Sequence, residues 1–236
     1  FIGLLLVYKT NFIKQTFSNG WHGVAYALIF TVTNITFVIS IENTNVANTL
    51  IMIALAPMLS AVLSFIFLKE IPDKKTWIAI VITTLSVIYI FYDAMDAGDI
   101  LGNSFGLITA SGLAVGAVII RSAKKINLVP SAMFGKLLVA LVAFYFADNI
   151  SLENNDLLIV PLMCVMCVAI PFVLVTIAPR YITAAEVNLF FLLETIFGPI
   201  WVWLVIKEQP SIETIIGGIV IIITIAIHSA LSLKKT

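Results

Sequence analysis

Long apolar runs, each closed by a short polar cluster, follow one another along almost the whole chain. A bilayer-spanning α-helix needs about 20 consecutive apolar residues, and most of these runs have that length. Only 11% of the residues are charged and 61% are hydrophobic, whereas a soluble domain has about 25% charged residues. Because so few charges cannot cover a surface that faces water, the sequence predicts an all-α polytopic membrane protein embedded in the lipid bilayer.

The apolar runs predict eight complete membrane spans joined by short connections, so that consecutive helices are antiparallel neighbours. Residues 1–8 are too few to cross, and we interpret them as the end of a helix whose beginning is missing. Lys9 and Lys14 follow in a polar linker. The predicted spans cover residues 21–41, 45–68, 76–92, 101–121, 130–147, 157–178, 184–206 and 212–233.

Basic residues lie almost entirely on one side of the predicted bundle. If the linker of residues 9–20 lies inside, then 11 of the 13 Lys and Arg residues fall in inside loops. Lys207 falls outside, and Lys136 falls within a span. Because short cytoplasmic loops are enriched in Lys and Arg, we expect a multi-pass protein of the cell membrane. Both termini of the complete protein are expected in the cytoplasm.

Several other classes of function have no support in the sequence. The formal net charge is +0, so no basic surface for nucleic acid is predicted. Cys164 and Cys167 form a C-x-x-C within a span, but no His lies nearby, so no metal site is expected. The chain has no phosphate-binding loop and no nucleophile constellation. We therefore expect neither a cofactor nor an enzymatic activity.

The chain contains an internal repeat. When it is shifted by 138 positions, residues 69–76 (KEIPDKKT) align with residues 207–214 (KEQPSIET). Lys, Glu, Pro and Thr coincide without a gap, although chance similarity between apolar segments is the alternative. Five predicted spans separate the two turns, and because five is odd, the copies are predicted to insert in opposite orientations. Inverted repeats are the architecture of many secondary transporters, whose substrate site lies where the repeats meet.

Two segments carry a resemblance to a known family. Residues 47–72 (ANTLIMIALAPMLSAVLSFIFLKEIP) and 184–210 (AAEVNLFFLLETIFGPIWVWLVIKEQP) resemble the drug/metabolite transporter superfamily, specifically its EamA-like members. The positions that fit the family pattern are Pro57, Glu70, Glu194 and Glu208. One departure is Lys69 and Lys207, where the family more often has Gly before the Glu of the turn.

The resemblance implies an inverted-repeat helical bundle. Members of this family have ten helices in two inverted five-helix repeats, around a central cavity that serves the export or exchange of small metabolites. It therefore implies a first EamA-like repeat at residues 1–92, with its N-terminal part missing, and a second at residues 101–233.

Two carboxylates lie in the predicted span of residues 184–206. A charge at the bilayer centre costs about 2.5–3.5 kcal/mol. Glu194, near the middle, is therefore expected to face the cavity as a proton- or substrate-linked group, or else to tie helices together by hydrogen bonds. Glu186 lies about 80° away around the helix. It is expected to line the same face or, alternatively, to cap the helix start, where the dipole favours a carboxylate.

Three more polar or aromatic residues are candidates for the substrate site. Lys136 is expected either to extend toward the cytoplasmic interface or to meet Glu194 or an anionic substrate. Asn34 lies in the middle of its span, where an amide needs a partner from another helix or from a ligand. Trp201 is a candidate for an aromatic cavity wall, with ordinary packing as the alternative.

Prolines within spans predict kinks or hinges, because each frees a backbone carbonyl and bends its helix. The prolines in such positions are Pro57, Pro161, Pro171 and Pro199. Gly112 and Gly116 form a small-xxx-small face, which predicts close packing within the chain or, alternatively, a homodimer. His22 and His228 lie at the ends of their spans and are expected at the membrane interface.

These features together predict a secondary transporter that exports small organic metabolites, such as amino acids or drug-like solutes, by alternating access driven by protons or exchange. The candidate substrate- or ion-coupling residues are Glu194, Asn34, Lys136, Glu186 and Trp201. The alternative is a non-transporting membrane protein, either a helical scaffold or an intramembrane enzyme. An enzyme would need several catalytic side chains at one depth, and a scaffold would not need the repeat.

Overall fold

The computed structural model is all helical, without strands, in the residues that it describes. These are residues 11–44, 46–92, 100–147, 156–194, 197, 200, 203–204, 207 and 211–233. The α-helices in chain order are α1 (Asn11–Ser18), α2 (Gly20–Asn43), α3 (Val46–Ile53), α4 (Ala56–Leu63), α5 (Lys74–Phe91), α6 (Ile100–Ser122), α7 (Val129–Phe146), α8 (Asp156–Met163), α9 (Ile170–Ile177), α10 (Ala184–Phe191) and α11 (Ile212–Leu233). A π-helical turn follows α4 (Ser64–Leu68), another follows α8 (Cys164–Ala169), and a 3-10 turn follows α9 (Ala178–Arg180).

Six helical stretches in the described part of the chain are long and apolar enough to cross a membrane. They are Gly20–Asn43, Asn48–Leu68, Lys74–Phe91, Ile100–Ser122, Val129–Phe146 and Asp156–Arg180. Each overlaps one of the predicted spans. Of the other two predicted spans, 184–206 is described only in part, and the second contains the shorter apolar helix Ile212–His228. The count of eight complete spans stays a prediction.

The sequence predicted a linker at residues 9–20. For residues 11–18 this prediction is wrong, because they form the helix α1. Phe12 and Thr16 lie one helical turn apart and are only 3% and 0% exposed. They form the buried face of a short amphipathic helix that packs against α7. Gly20, the first residue of the long helix α2, has a φ of 63°, a left-handed conformation that glycine adopts without strain and that redirects the chain after α1.

The chain divides into two compact units. The first contains the described residues of Phe1–Ile35 and of Ile119–Ile182, and the second contains those of Thr36–Val118 and Thr183–Thr236. Each unit therefore draws segments from both predicted repeats. The boundaries of the repeats at residues 1–92 and 101–233 stay a prediction.

The second unit has a core of aliphatic side chains. In it, α11 packs against α5, and α10 packs against α4 and α5. Ile80, Leu189 and Ile221 are at most 1% exposed at this meeting of helices. Gly217 on α11 lets the helix approach α5 closely, because a Cβ at this position would overlap the side chain of Ile90. Replacement of Gly217 by a larger residue would therefore force the two helices apart.

Two of the predicted hinge prolines follow irregular helical turns. Pro57 stands at the start of α4, just after the turn that separates α4 from α3, and the Ala54 carbonyl in that turn accepts a hydrogen bond of 3.2 Å from Thr84 Oγ1. Pro171 stands at the start of α9, after the π-helical turn Cys164–Ala169. Pro199 lies outside the described residues. The hinge roles of these prolines stay predictions.

Two lysines at equivalent places in the internal repeat share an uncommon backbone conformation. Lys69 has a φ of 54° and Lys207 a φ of 66°, and they are the non-glycine residues with positive φ in the described part of the chain. Lys69 directly follows the π-helical turn that extends α4. A left-handed residue at a helix end is most often Gly. A Gly at these two positions, which the resemblance implies, would adopt this conformation without strain.

Candidate functional site

A cavity of about 200 Å³ lies within the first unit. Its walls come from α2, from α7, and from the segment that runs from the π-helical turn Cys164–Ala169 into α9. The lining residues are Phe30, Val129, Ala132, Met133, Lys136, Cys164, Val168, Ala169, Phe172 and Val173. Apart from the Lys136 ammonium and the Cys164 thiol, these side chains are apolar. The cavity is therefore an apolar pocket that holds a single charged group.

The helical repeat explains why α7 presents this wall. Val129, Ala132, Met133 and Lys136 are spaced by three or four residues, so that they lie on one face of the helix. On the opposite wall, Cys164 and Val168 belong to the π-helical turn. Such turns insert an extra residue into a helix and are frequent at functional sites. The irregular turn thus lies directly against the cavity.

Lys136 is held in the cavity by Asn34. Its Nζ donates a hydrogen bond of 2.6 Å to Asn34 Oδ1, and Asn34 Nδ2 donates one of 2.7 Å to the Phe30 carbonyl. The second bond fixes the amide so that its oxygen points at the ammonium. The sequence predicted that Asn34 needs a partner, and the structure supplies Lys136.

Two phenyl rings complete the surroundings of the ammonium. Lys136 Nζ lies 4.0 Å from the centre of the Phe172 ring and 5.2 Å from the centre of the Phe30 ring. The two rings meet edge to face, with centres 5.1 Å apart and planes at 78°. A cation over an aromatic face gains about 0.5–2 kcal/mol. Sequence analysis missed both rings, and the available signal was the spacing of four residues between Phe30 and Asn34.

Contacts beside the cavity fix the three walls relative to one another. Tyr26 Oη and Thr176 Oγ1 lie 3.1 Å apart and join α2 to α9. Thr31 Oγ1 donates a hydrogen bond of 3.1 Å to the Gly135 carbonyl and joins α2 to α7. At Gly135 the helices are so close that a Cβ would lie 2.8 Å from the Ala27 carbonyl oxygen. The pocket is therefore built on closely packed helices.

Glu186 caps α10. Helix capping was one of the two interpretations of this residue from the sequence. Its backbone N–H donates to Thr183 Oγ1 at 3.2 Å, and its carboxylate accepts from the Thr183 backbone N–H at 2.9 Å. This reciprocal pair is a capping box. The predicted role of Glu186 in substrate or ion coupling stays a prediction.

His228 is buried among protein side chains, and its expected position at the depth of the membrane interface stays a prediction. It is 4% exposed inside the second unit, where its Nε2 lies 3.0 Å from Thr76 Oγ1 and 3.9 Å from a Glu186 carboxylate oxygen. The helix end was predicted correctly, but α5 and α10 cover it.

Within the described residues, no group of three or more His, Cys, Asp or Glu side chains is placed to hold a metal ion.

Glu194 lies three residues beyond α10 and is exposed. In the part of the chain that the structure describes, its carboxylate makes no hydrogen bond or ion pair. Trp201, the aromatic candidate, lies outside the described residues. The structure therefore pairs Asn34 with Lys136, which lines the cavity, while Glu186 has a local structural partner.

Comparison with protein families decides the class of the protein. The model of the EamA-like transporter family matches residues 1–92 and 99–230. The chain belongs to the EamA-like transporter family. This confirms the resemblance that residues 47–72 and 184–210 carry, and it makes the chain a multi-pass member of a family of membrane transporters of small solutes.

The chain is also similar in fold to a solved structure. A solved structure titled "Crystal structure of protein" is 14% identical in sequence, with a TM-score of 0.75, and the match covers 89% of this chain and 74% of that chain. At this identity the likeness shows the fold alone. No curated protein matches the chain.

Proposed function

We propose that this EamA-like protein is a secondary transporter that binds a small organic solute in the Lys136 cavity. The observation that carries the proposal is the ammonium itself, which Asn34 and two aromatic rings hold inside an otherwise apolar pocket. An apolar pocket with a few well-placed polar groups is the usual form of a small-molecule site. Ionisable groups within membrane spans are costly and most often mark a substrate or ion pathway.

Alternating access between two inverted repeats is the proposed mechanism. The positive φ values of Lys69 and Lys207, which stand 138 positions apart in the chain, support two equivalent turns. Both turns lie at the ends of long apolar segments. The proposal therefore includes eight complete spans of a ten-helix fold. It also places the chain in the cell membrane, with both termini in the cytoplasm.

Export driven by protons or by exchange is the proposed direction and coupling, with Glu194 as the coupling carboxylate. Its position within a proposed span supports this role, because an ionisable group at that depth is costly and most often functional. The absence of an ion-pair partner among the described residues is in line with a group that changes its charge during transport.

Transport by purified protein in proteoliposomes tests the proposal. A panel of small organic solutes would be assayed with and without an imposed proton gradient. Lys136→Met, which keeps a long apolar side chain and removes the charge, should reduce transport strongly. Lys14→Met removes an exposed lysine from α1 and should not. Equal loss in both variants, or in neither, contradicts a substrate site at Lys136.

Glu194→Gln tests the coupling role in the same vesicles. The variant should lose the dependence of transport on the proton gradient, because an amide does not ionise in this pH range. If rate and pH dependence are unchanged, Glu194 does not couple transport to protons, and the proposal for the Lys136 cavity is unaffected.

A further inference from the structure

We propose that the Lys136 cavity selects a small organic monocarboxylate whose apolar part is about the size of one ring, and that it disfavours free amino acids. This inference deepens the proposed function and rests on it. Four features carry it: the unused hydrogen-bond donors of the ammonium, the single charge, the size of the cavity and the character of its walls.

The ammonium of Lys136 offers three N–H donors. One goes to Asn34 Oδ1, and the two phenyl rings provide only their π-faces. Among the other lining side chains of the described cavity, the Cys164 thiol is the only polar group, and a thiol is a weak acceptor. The two remaining N–H donors of this half-buried ammonium are therefore available to the oxygens of a ligand.

The charge balance specifies an anion with a single negative charge. Asn34 is neutral, so it orients the ammonium without neutralising it. In surroundings of low polarity, opposite charges a few ångströms apart attract strongly, and a carboxylate is the most compact group that both neutralises the ammonium and accepts its hydrogen bonds. A dianion such as phosphate would keep one charge without a partner among the described lining side chains.

The size of the cavity limits the rest of the ligand. Its volume of about 200 Å³ is below the range of about 300–1,000 Å³ that is usual for drug-sized ligands. An apolar cavity of about 150 Å³ is enough for benzene. The cavity thus suits one ring with a carboxylate, and the walls formed by Phe30, Phe172, Val168 and Met133 suit an apolar body.

Free amino acids fit this site less well than simple acids. Their α-ammonium would lie close to the Lys136 ammonium and repel it. The side chains that line the described cavity include no carboxylate that would compensate, and the oxygen of Asn34 already accepts from Lys136. Among solutes of equal size, the simple carboxylate is therefore favoured over the zwitterion.

Binding of three matched probes to the purified full chain tests this inference. Benzoate supplies the carboxylate, benzyl alcohol is a neutral analogue with the same ring, and phenylglycine, one carbon longer than benzoate, is the zwitterion. Isothermal titration calorimetry in detergent micelles should give benzoate an affinity at least about tenfold higher than the other two, as expected for hydrogen bonds to a charged group. Equal affinities for benzoate and benzyl alcohol would overturn the inference.

Variants at Lys136 show whether the cavity is responsible. Lys136→Met should weaken benzoate binding about tenfold or more and leave benzyl alcohol nearly unchanged, which a misfolded protein would not do. Lys136→Arg keeps the charge and should retain part of the preference for benzoate. Lys14→Met, on the surface of α1, should bind like the unchanged protein. Benzoate binding that is insensitive to Lys136→Met refutes the assignment.

The proposed function fails separately from this inference. If the protein transports solutes but benzoate binding does not depend on Lys136, only the proposed substrate class is refuted. If benzoate binds through Lys136 but no solute crosses the vesicle membrane, the binding site is supported and the transport function is refuted.

Discussion

Replacement of Lys69 by Gly should stabilise the protein. Lys69 has a φ of 54°, and a residue with a Cβ in this left-handed conformation costs about 1–2 kcal/mol. Gly removes that cost but loses about 0.5–1 kcal/mol of additional backbone entropy on folding. The difference is a net gain of about 0–1.5 kcal/mol, with a middle value of about 0.75 kcal/mol. Because the Lys69 side chain is exposed, its removal gives up few contacts.

The free energy of unfolding, measured by titration with sodium dodecyl sulfate in mixed micelles, would report this gain. Lys69→Ala is the first control, since it also removes the charge but keeps the Cβ and should give no gain. Lys75→Gly is the second, because Lys75 lies in the first turn of α5 and Gly is unfavourable within a helix. If Lys69→Gly is no more stable than Lys69→Ala, the Cβ at position 69 does not strain the left-handed backbone, and the reasoning is wrong.

The contacts inside each unit give three more expected outcomes in the same titration. A double-mutant cycle with Lys136→Met and Asn34→Leu should show a coupling of about 1 kcal/mol or more, because their hydrogen bond involves a charge; additive effects would contradict it. Gly135→Ala should destabilise by about 1–3 kcal/mol, since its Cβ would lie 2.8 Å from a backbone oxygen; an unchanged midpoint would show that the helices yield. Glu186→Ala should cost about 1 kcal/mol, whereas Glu186→Gln keeps the capping box; equal stability of the two variants would rule out the cap.

The helices of this protein could be predicted because the bilayer imposes one strong rule on sequence. Every backbone polar group in hydrocarbon must be bonded within the segment, so a long apolar run is almost always a helix. The rule says nothing about short polar stretches, which explains why α1 was missed. Its buried face consists of Phe12 and Thr16, and only contact with α7 makes that face stable.

The members of the candidate site could be named from the sequence, but not their arrangement. Asn34 and Lys136 stand out because polar groups within spans are rare. Their pairing joins residues 102 positions apart, and no local pattern reports such a contact. Phe30 and Phe172 are two of 16 phenylalanines in an apolar chain, so their selection depends on the tertiary packing of α2 and α9.

The nature of the partner of Lys136 bears on how the site would work. An aspartate or glutamate in place of Asn34 would neutralise the ammonium permanently and compete with any anionic solute. An amide orients the ammonium through one hydrogen bond of 2.6 Å and leaves its charge for the ligand. A transporter must also release what it binds. A single ion pair between Lys136 and the solute, in a cavity of about 200 Å³, limits the strength of binding. An acidic residue at position 34 would thus neutralise the charge that attracts the solute, whereas Asn34 preserves it.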